Sequence, residues 1–363
     1  MPGWRTNRHL IVIESDDWGS IRMPSREVYE RFLKEGIRVD NDPYCRYDSL
    51  ETRADLERLF DVLQSVKDKN GHPAVITANA LSSNPVFEKI EASGFQEYYY
   101  EPFTETLKHS TSQADAFEVW QQGMLSGVFH PQSHGREHLN VKKWLEALRE
   151  GHPSTITAFE LGTWGLTNSV DDSIDGYYMG AFDSGQAEDL AEQKTIIAEG
   201  LQEFKSIFGF ASKSFIPTTY TWSSQIEPTL VSNGVKYMQS TVAQKIPVGN
   251  NKIVVKKHCF QGTKSKAGLI RLMRNCFFEP STKPYFDHVG DCLNRIENAF
   301  KWKKAAVICA HRVNFIGSID PANTDRNLPM FLALLKEIVG RWPDVEFLTS
   351  DQLGDIIAEE THA

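Results

Sequence analysis

The sequence is short of cysteine, of basic charge and of long apolar runs, and each shortage closes off a class of protein. Its five cysteines (Cys45, Cys259, Cys276, Cys292, Cys309) form an odd, scattered set without a CxxC pair, so neither a disulfide framework nor a thiolate zinc knot is expected. A reducing compartment suits such a set. Lysine and arginine total 39 against 48 aspartates and glutamates, a formal net charge of −9. A surface that tracks phosphates needs a basic excess, so neither nucleic acid nor an anionic membrane is an expected partner. The apolar run at residues 10 to 13 is too short for a signal-peptide core, and no later run approaches the ~20 residues of a membrane span. A soluble, cytoplasmic protein is expected. There is no repeat, low-complexity tract or clear linker.

What is present is ordinary globular material, 363 residues of which 40% are hydrophobic and 24% charged, enough for one large α/β barrel or two smaller domains. Apolar runs alternate with amphipathic stretches. "HLIVIES" precedes a helix-like segment capped by Ser25 and closed by Gly36. Leu56, Leu59, Phe60, Leu63 and Val66 recur at helical spacing before the strand-like "PAVITANA". "SGVFHPQSH" reads as a strand, and a helix is expected from Asn140, with Val141, Trp144, Leu145 and Leu148 inward. Leu190 to Phe208 marks a long helix, "SKSFIPTTY" a strand, Leu293 to Phe300 a helix, and "AAVICAH" and "VEFLTS" the last strands. Strands separated by helices predict a parallel sheet covered on both faces, most simply a distorted (β/α) barrel. Residues 1–363 are read as a single catalytic domain. Residues 149–186 lack periodicity and predict a loop-rich insertion over one face.

In such sheets the chemistry gathers at the carboxyl ends of the strands, and three polar clusters fall there. Asp16 and Asp17 follow "IVIES"; two carboxylates in tandem at a buried strand end repel unless a cation sits between them or one is protonated. "HPQSHGREHLN" spaces His130, His134 and His138 four residues apart, so three of eleven histidines lie within nine residues, a spacing that can turn two imidazoles to one side. His311 follows the apolar strand "AVICA". One aspartate and two histidines facing an open position bind catalytic zinc or a related divalent ion, where the pKa of bound water falls to ~7. The spare aspartate could take that water's proton and a spare histidine protonate a leaving group. A glycosidase using Glu14 and Asp16 is disfavoured, because neighbours at i and i+2 on one strand are too close for the two sides of a glycosidic bond.

These residues resemble the polysaccharide deacetylases of carbohydrate esterase family four, with the NodB-homology fold. There a first strand ends in an Asp-Asp-Gly-like motif, an HxxxH motif follows and a late strand ends in histidine; "VEFLTSDQLG" resembles the family's closing strand and helix. The resemblance implies a metal-dependent deacetylase acting on an N- or O-acetylated sugar, with metal-bound water as nucleophile and one divalent ion, zinc by preference, as cofactor. It implies that Asp16 is the general base, Asp17 a metal ligand and His311 the general acid. The histidine pair can be laid on His130 with His134 or on His134 with His138. The second is preferred because Gly135 permits a sharp turn. Two departures stand out. Trp18 separates Asp17 from Gly19 and is expected to reshape the pocket mouth, and Ile216 stands where the family carries an arginine that steadies the catalytic aspartate. Arg136, Arg274 or Arg312 could replace it. Tyr220 and Trp222 are candidates to stack on sugar, with Asn79, Arg274 and Glu279 as further rim candidates. Cleavage of another non-peptide C–N bond and a non-catalytic sugar-binding relative are the alternative readings.

Overall fold

In the computed structural model, which describes residues 2–167, 170, 178–183, 186–248 and 253–362, nine parallel strands build one sheet. They are β1 (Leu10–Trp18), β2 (Ile76–Leu81), β3 (Phe129–Gly135), β4 (Ser214–Phe215), β5 (Tyr237–Ser240), β6 (Ile270–Met273), β7 (Cys276–Phe277), β8 (Ala306–His311) and β9 (Glu346–Leu348). Their order is β6-β5-β4-β3-β2-β1-β8-β7, with β9 paired to the start of β1. Leu10 to Ile13 are fully buried, as a parallel strand covered on both faces requires. The two edges meet on one segment, 270–277. Its first half lies along β5 and its second along β8, and at the changeover the Arg274 amide donates to Ser240 O (2.9 Å) and the Asn275 amide to Val307 O (3.1 Å). The sheet thereby curls into a distorted barrel.

Helices pack outside. Arg53–Gln64 starts with a capping box in which Thr52 and Asp55 satisfy each other's amides, and it buries Leu56, Leu59, Phe60 and Leu63 in the largest apolar cluster. Asn140 caps Val141–Arg149 through the Lys143 amide, placing Trp144, Leu145 and Leu148 inward as the spacing predicts. Ala187–Phe208 and His288–Lys301 are the other expected helices. No helix among the described residues is long and apolar enough to cross a membrane, and the five cysteines are buried and free.

Three expectations need correction. The stretch 149–186 contains a helix, Pro153–Glu160. Pro153 starts it at a position where no amide is needed, and Ala158 and Phe159 join the cluster around Trp144; residues 168–169, 171–177 and 184–185 of that stretch lie outside the described residues. "SKSFIPTTY" supplies only two strand residues, because Pro217 has no N–H for a ladder and Thr219 and Tyr220 take positive φ (55° and 57°). Trp18 does not shape the pocket mouth. It is buried edge-on against Trp120 and Phe129, and its indole donates to Ser15 Oγ (2.9 Å).

Candidate metal centre and its cavity

The direction of Trp18 explains how two consecutive aspartates reach one site. The register of β1 on β2 slips between Ser15 and Trp18, and Asp17 adopts φ 74°, a left-handed conformation uncommon outside glycine that aspartate takes more readily than most residues. A bulge of this kind breaks the strict alternation of a strand. Asp16 and Asp17 therefore both face the carboxyl end of the barrel while Trp18 enters the core. Gly19 follows at φ 78°, where a Cβ would stand 2.7 Å from Leu81 O; only glycine fits.

Asp17 Oδ1 lies 3.5 Å from His134 Nε2 and 3.7 Å from His138 Nε2. His134 is the next-to-last residue of β3; Gly135, at φ 118°, turns the chain, and His138 sits in the following bend rather than on a helical turn. His134 Nδ1 is 2.9 Å from Ile216 O. A proton on Nδ1 donating to that carbonyl would leave Nε2 to ligate an ion beside Asp17. Burial pushes the His138 imidazole down to about 3, so it is neutral. Burial would raise the Asp17 carboxyl, but the contact with His134 and the charge of Arg22 outweigh it and hold the group well below the usual carboxylate range. Two imidazoles and a carboxylate, their ligand atoms within 4.8 Å of one another, are the donor types of a divalent-metal site. Ligands ~2.0–2.1 Å from a tetrahedral ion stand ~3.3 Å apart, close to the separations from Asp17. The residues present fit a divalent ion.

His130 is elsewhere. Half-buried near the start of β3, it stacks on Phe210 and lies 3.2 Å from Asp351. The geometry brings His134 and His138 to Asp17 and leaves His130 out.

Asp16 is held from below. Arg274 forks onto it, Nη1 to Oδ2 and Nη2 to Oδ1, both 2.6 Å, while its Nε reaches Glu14 Oε2 at 2.6 Å. Asn79 donates to Asp16 Oδ1 (2.7 Å) and exchanges hydrogen bonds with Gln239. Burial would raise the Asp16 carboxyl; Arg274, then His134 and His311, override this and bring it to about 2. Of Arg136, Arg274 and Arg312, Arg274 is the one that steadies Asp16. Arg136 is instead paired with Glu137 and Glu199, and Arg312 with Asp48 and Glu51.

His311, the last residue of β8, completes the cluster. Its Nδ1 donates to Glu279 Oε1 (2.6 Å), and Asn314 holds the other Glu279 oxygen (2.8 Å). His311 Nε2 stands 3.8 Å from Asp16 Oδ2. Burial disfavours the imidazolium, but Glu279 dominates and raises His311 well above its ordinary value. Glu279, Cys309 and His311 also lie close enough to be read as a ligand group. Burial keeps the Cys309 thiol protonated, however, and His311 Nδ1 is already committed to Glu279.

Asp16, Asp17, His134, His138, Tyr220 and His311 line a cavity of about 350 Å³. The rim assignments divide. Tyr220 lines the cavity, its hydroxyl accepting from Arg274 Nη1 (3.0 Å). Trp222 does not: it is fully buried, donates to Glu227 Oε1 (3.1 Å) and is covered by Arg271, so it packs the core instead of stacking on sugar. Asn79 and Arg274 are likewise fully buried beneath Asp16 and position it rather than meet a ligand. Arg22 and Tyr44 line the cavity without having been singled out; the proximity of Arg22 to Asp17 in the chain was the available signal.

No protein-family model and no curated protein matches the chain. Among solved structures it is similar to a Mycobacterium smegmatis protein described as a polysaccharide deacetylase (10% identity, 99% of this chain and 94% of the other, TM-score 0.45). It is also similar to a Pseudomonas aeruginosa protein described in the same way (8%, 96% and 91%, 0.47). A third is a peptidoglycan deacetylase of Bacillus subtilis (9%, 98% and 95%, 0.40).

Proposed function

We propose that the protein is a divergent polysaccharide deacetylase, a metal-dependent hydrolase that removes an acetyl group from an N- or O-acetylated saccharide. One observation carries the reading: a zinc-type donor set, an ionised carboxylate and a protonated imidazole face the same cavity. Asp17, His134 and His138 would hold the ion. When bound there, a divalent ion supplies a Lewis acid that polarises the acyl oxygen and acidifies the attacking water.

The chain's own groups handle the protons. Asp16, kept ionised by Arg274, accepts the proton of the water as its oxygen bonds to the acyl carbon. His311 Nε2 gives its proton to the departing nitrogen or oxygen as the acyl bond breaks, while Glu279 on Nδ1 stabilises the charged imidazole before transfer. Acetate and a deacetylated sugar leave. Zinc-loaded protein should release acetate from acetylated oligosaccharides and lose that activity on chelation. Failure to release acetate from any acetylated sugar by protein shown to hold zinc would sink the reading.

The Glu279 contact makes a further outcome measurable. Because Glu279 raises the His311 pKa, Glu279→Gln lowers it, and the fraction of protonated acid falls off at lower pH. The alkaline limb of the pH–rate profile should move down in the variant while the acid limb stays. An unmoved alkaline limb would remove His311 from the role of acid.

A further inference from the structure

Arg22 stands in the wall of the same cavity with its donors poorly met. Its side chain is 5% exposed, and Nε has no hydrogen-bond partner among the described residues. Nη1 reaches the thioether sulfur of Met179 at 3.0 Å, a weak acceptor. Two carboxylates are near, Asp17 Oδ2 at 3.5 Å and Asp48 Oδ2 at 3.8 Å, both beyond good hydrogen-bond length. Asp48 is already taken by Arg312, at 3.0 and 3.1 Å, and Asp17 faces the two histidines. The contrast with Arg274, whose fork is filled by bonds of 2.6 Å, marks Arg22 as a guanidinium built to receive something.

The group is also held in place. The rings of Tyr44 and Trp164 lie 5.4 and 5.6 Å from its central carbon, and the absence of a side chain at Gly165 gives it room, since a Cβ there would stand 3.2 Å from Nη1. Burying a cation with unmet donors is costly, and a ligand bringing two acceptors in one plane relieves that cost. A carboxylate fits the guanidinium fork. Asp16, Asp17 and Asp42 also line the cavity, and Arg22 offsets their repulsion of an anion at a place apart from His311, which is engaged by Glu279, and from an ion held by Asp17 and the two histidines.

We propose that Arg22 receives a carboxylate carried by the substrate, so that the saccharides taken are acidic ones whose carboxyl group lies close to the acyl group removed. The closeness follows from Asp17, which touches both places: one oxygen faces Arg22 and the other the histidine pair. This inference rests on the deacetylase reading for the acyl group but not for the carboxylate.

The test titrates the zinc-loaded full chain with D-glucuronate, and with D-glucose as neutral control, by calorimetry. Glucuronate should bind more tightly than glucose, and Arg22→Gln should weaken it roughly 10- to 100-fold with zinc content unchanged. Arg22→Lys, a point charge without the fork, should fall between. Acetate release should favour an O-acetylated uronate over the matching neutral glycoside, and that preference should collapse in Arg22→Gln. Unchanged glucuronate affinity in Arg22→Gln, loss of zinc from that variant, or equal loss of rate on acidic and neutral substrates would each overturn the assignment. If Arg22→Gln does not fold, absence of glucuronate preference in the wild type overturns it. Glucuronate binding that depends on Arg22 in a protein releasing no acetate would keep this inference and remove the deacetylase reading. Cleavage of neutral and acidic sugars alike would do the reverse.

Discussion

Arg274→Met should be the most damaging single change beneath the site, destabilising the protein by about 3–5 kcal/mol at neutral pH, the usual cost of removing one partner from a buried ion pair. Arg274 is fully buried and is the cation shared by Glu14 and Asp16. Ser350 Oγ donates to the other oxygen of Glu14 (2.7 Å), which cannot replace a charge. The pH dependence follows from linkage. In the wild type the Asp16 carboxyl sits at about 2, below its ordinary value, so its stabilisation is present above the unfolded pKa and is lost as pH falls toward 2. Without Arg274, burial raises both carboxyls, and the variant regains stability relative to wild type as pH falls and they take up protons. Urea unfolding at pH 7 and pH 5 measures this; a penalty equal at both pH values would mean that the pairing does not set the charge state of Asp16.

Asp16→Asn should keep the metal and lose turnover by roughly 10² to 10⁴, the span for one general acid or base. Asparagine keeps the shape, and Glu14 still holds Arg274, so the fold survives while the proton acceptor is gone. His311→Ala should behave alike, retaining metal and losing rate within the same range. Metal content and initial rates on the same preparations separate the roles. If Asp16→Asn emptied the site, the division of labour between the adjacent aspartates would be wrong.

How far the sequence carried the site depended on how local each relation was. The barrel was legible because apolar runs and amphipathic stretches alternate in chain order, and Asp16, Asp17 and His311 were visible because they end those runs. Spacing marked the three histidines, and Gly135, which turns the chain after a strand, favoured His134 with His138. Relations across the chain were hidden. Arg274 reaches Asp16 because the segment 270–277 changes partners at the closing seam of the barrel, a fact of topology that no local pattern encodes. Glu279 meets His311 through the neighbouring pairing of β7 with β8. Burial was hidden in both tryptophans: Trp222, named for its aromatic ring, and Trp18, named for its place between Asp17 and Gly19, lie in the core, and the bulge at Asp17 that sends Trp18 inward is invisible to a period-two reading.

Whether Asp17, His134 and His138 hold one divalent ion is decided by zinc content, measured by atomic spectroscopy on the purified wild type and on Asp17→Ala, His134→Ala, His138→Ala and His130→Ala. About one ion per chain is expected in the wild type and in His130→Ala, as the single donor set requires, and none in the other three. A metal-free His130→Ala beside a metal-loaded His138→Ala would contradict it.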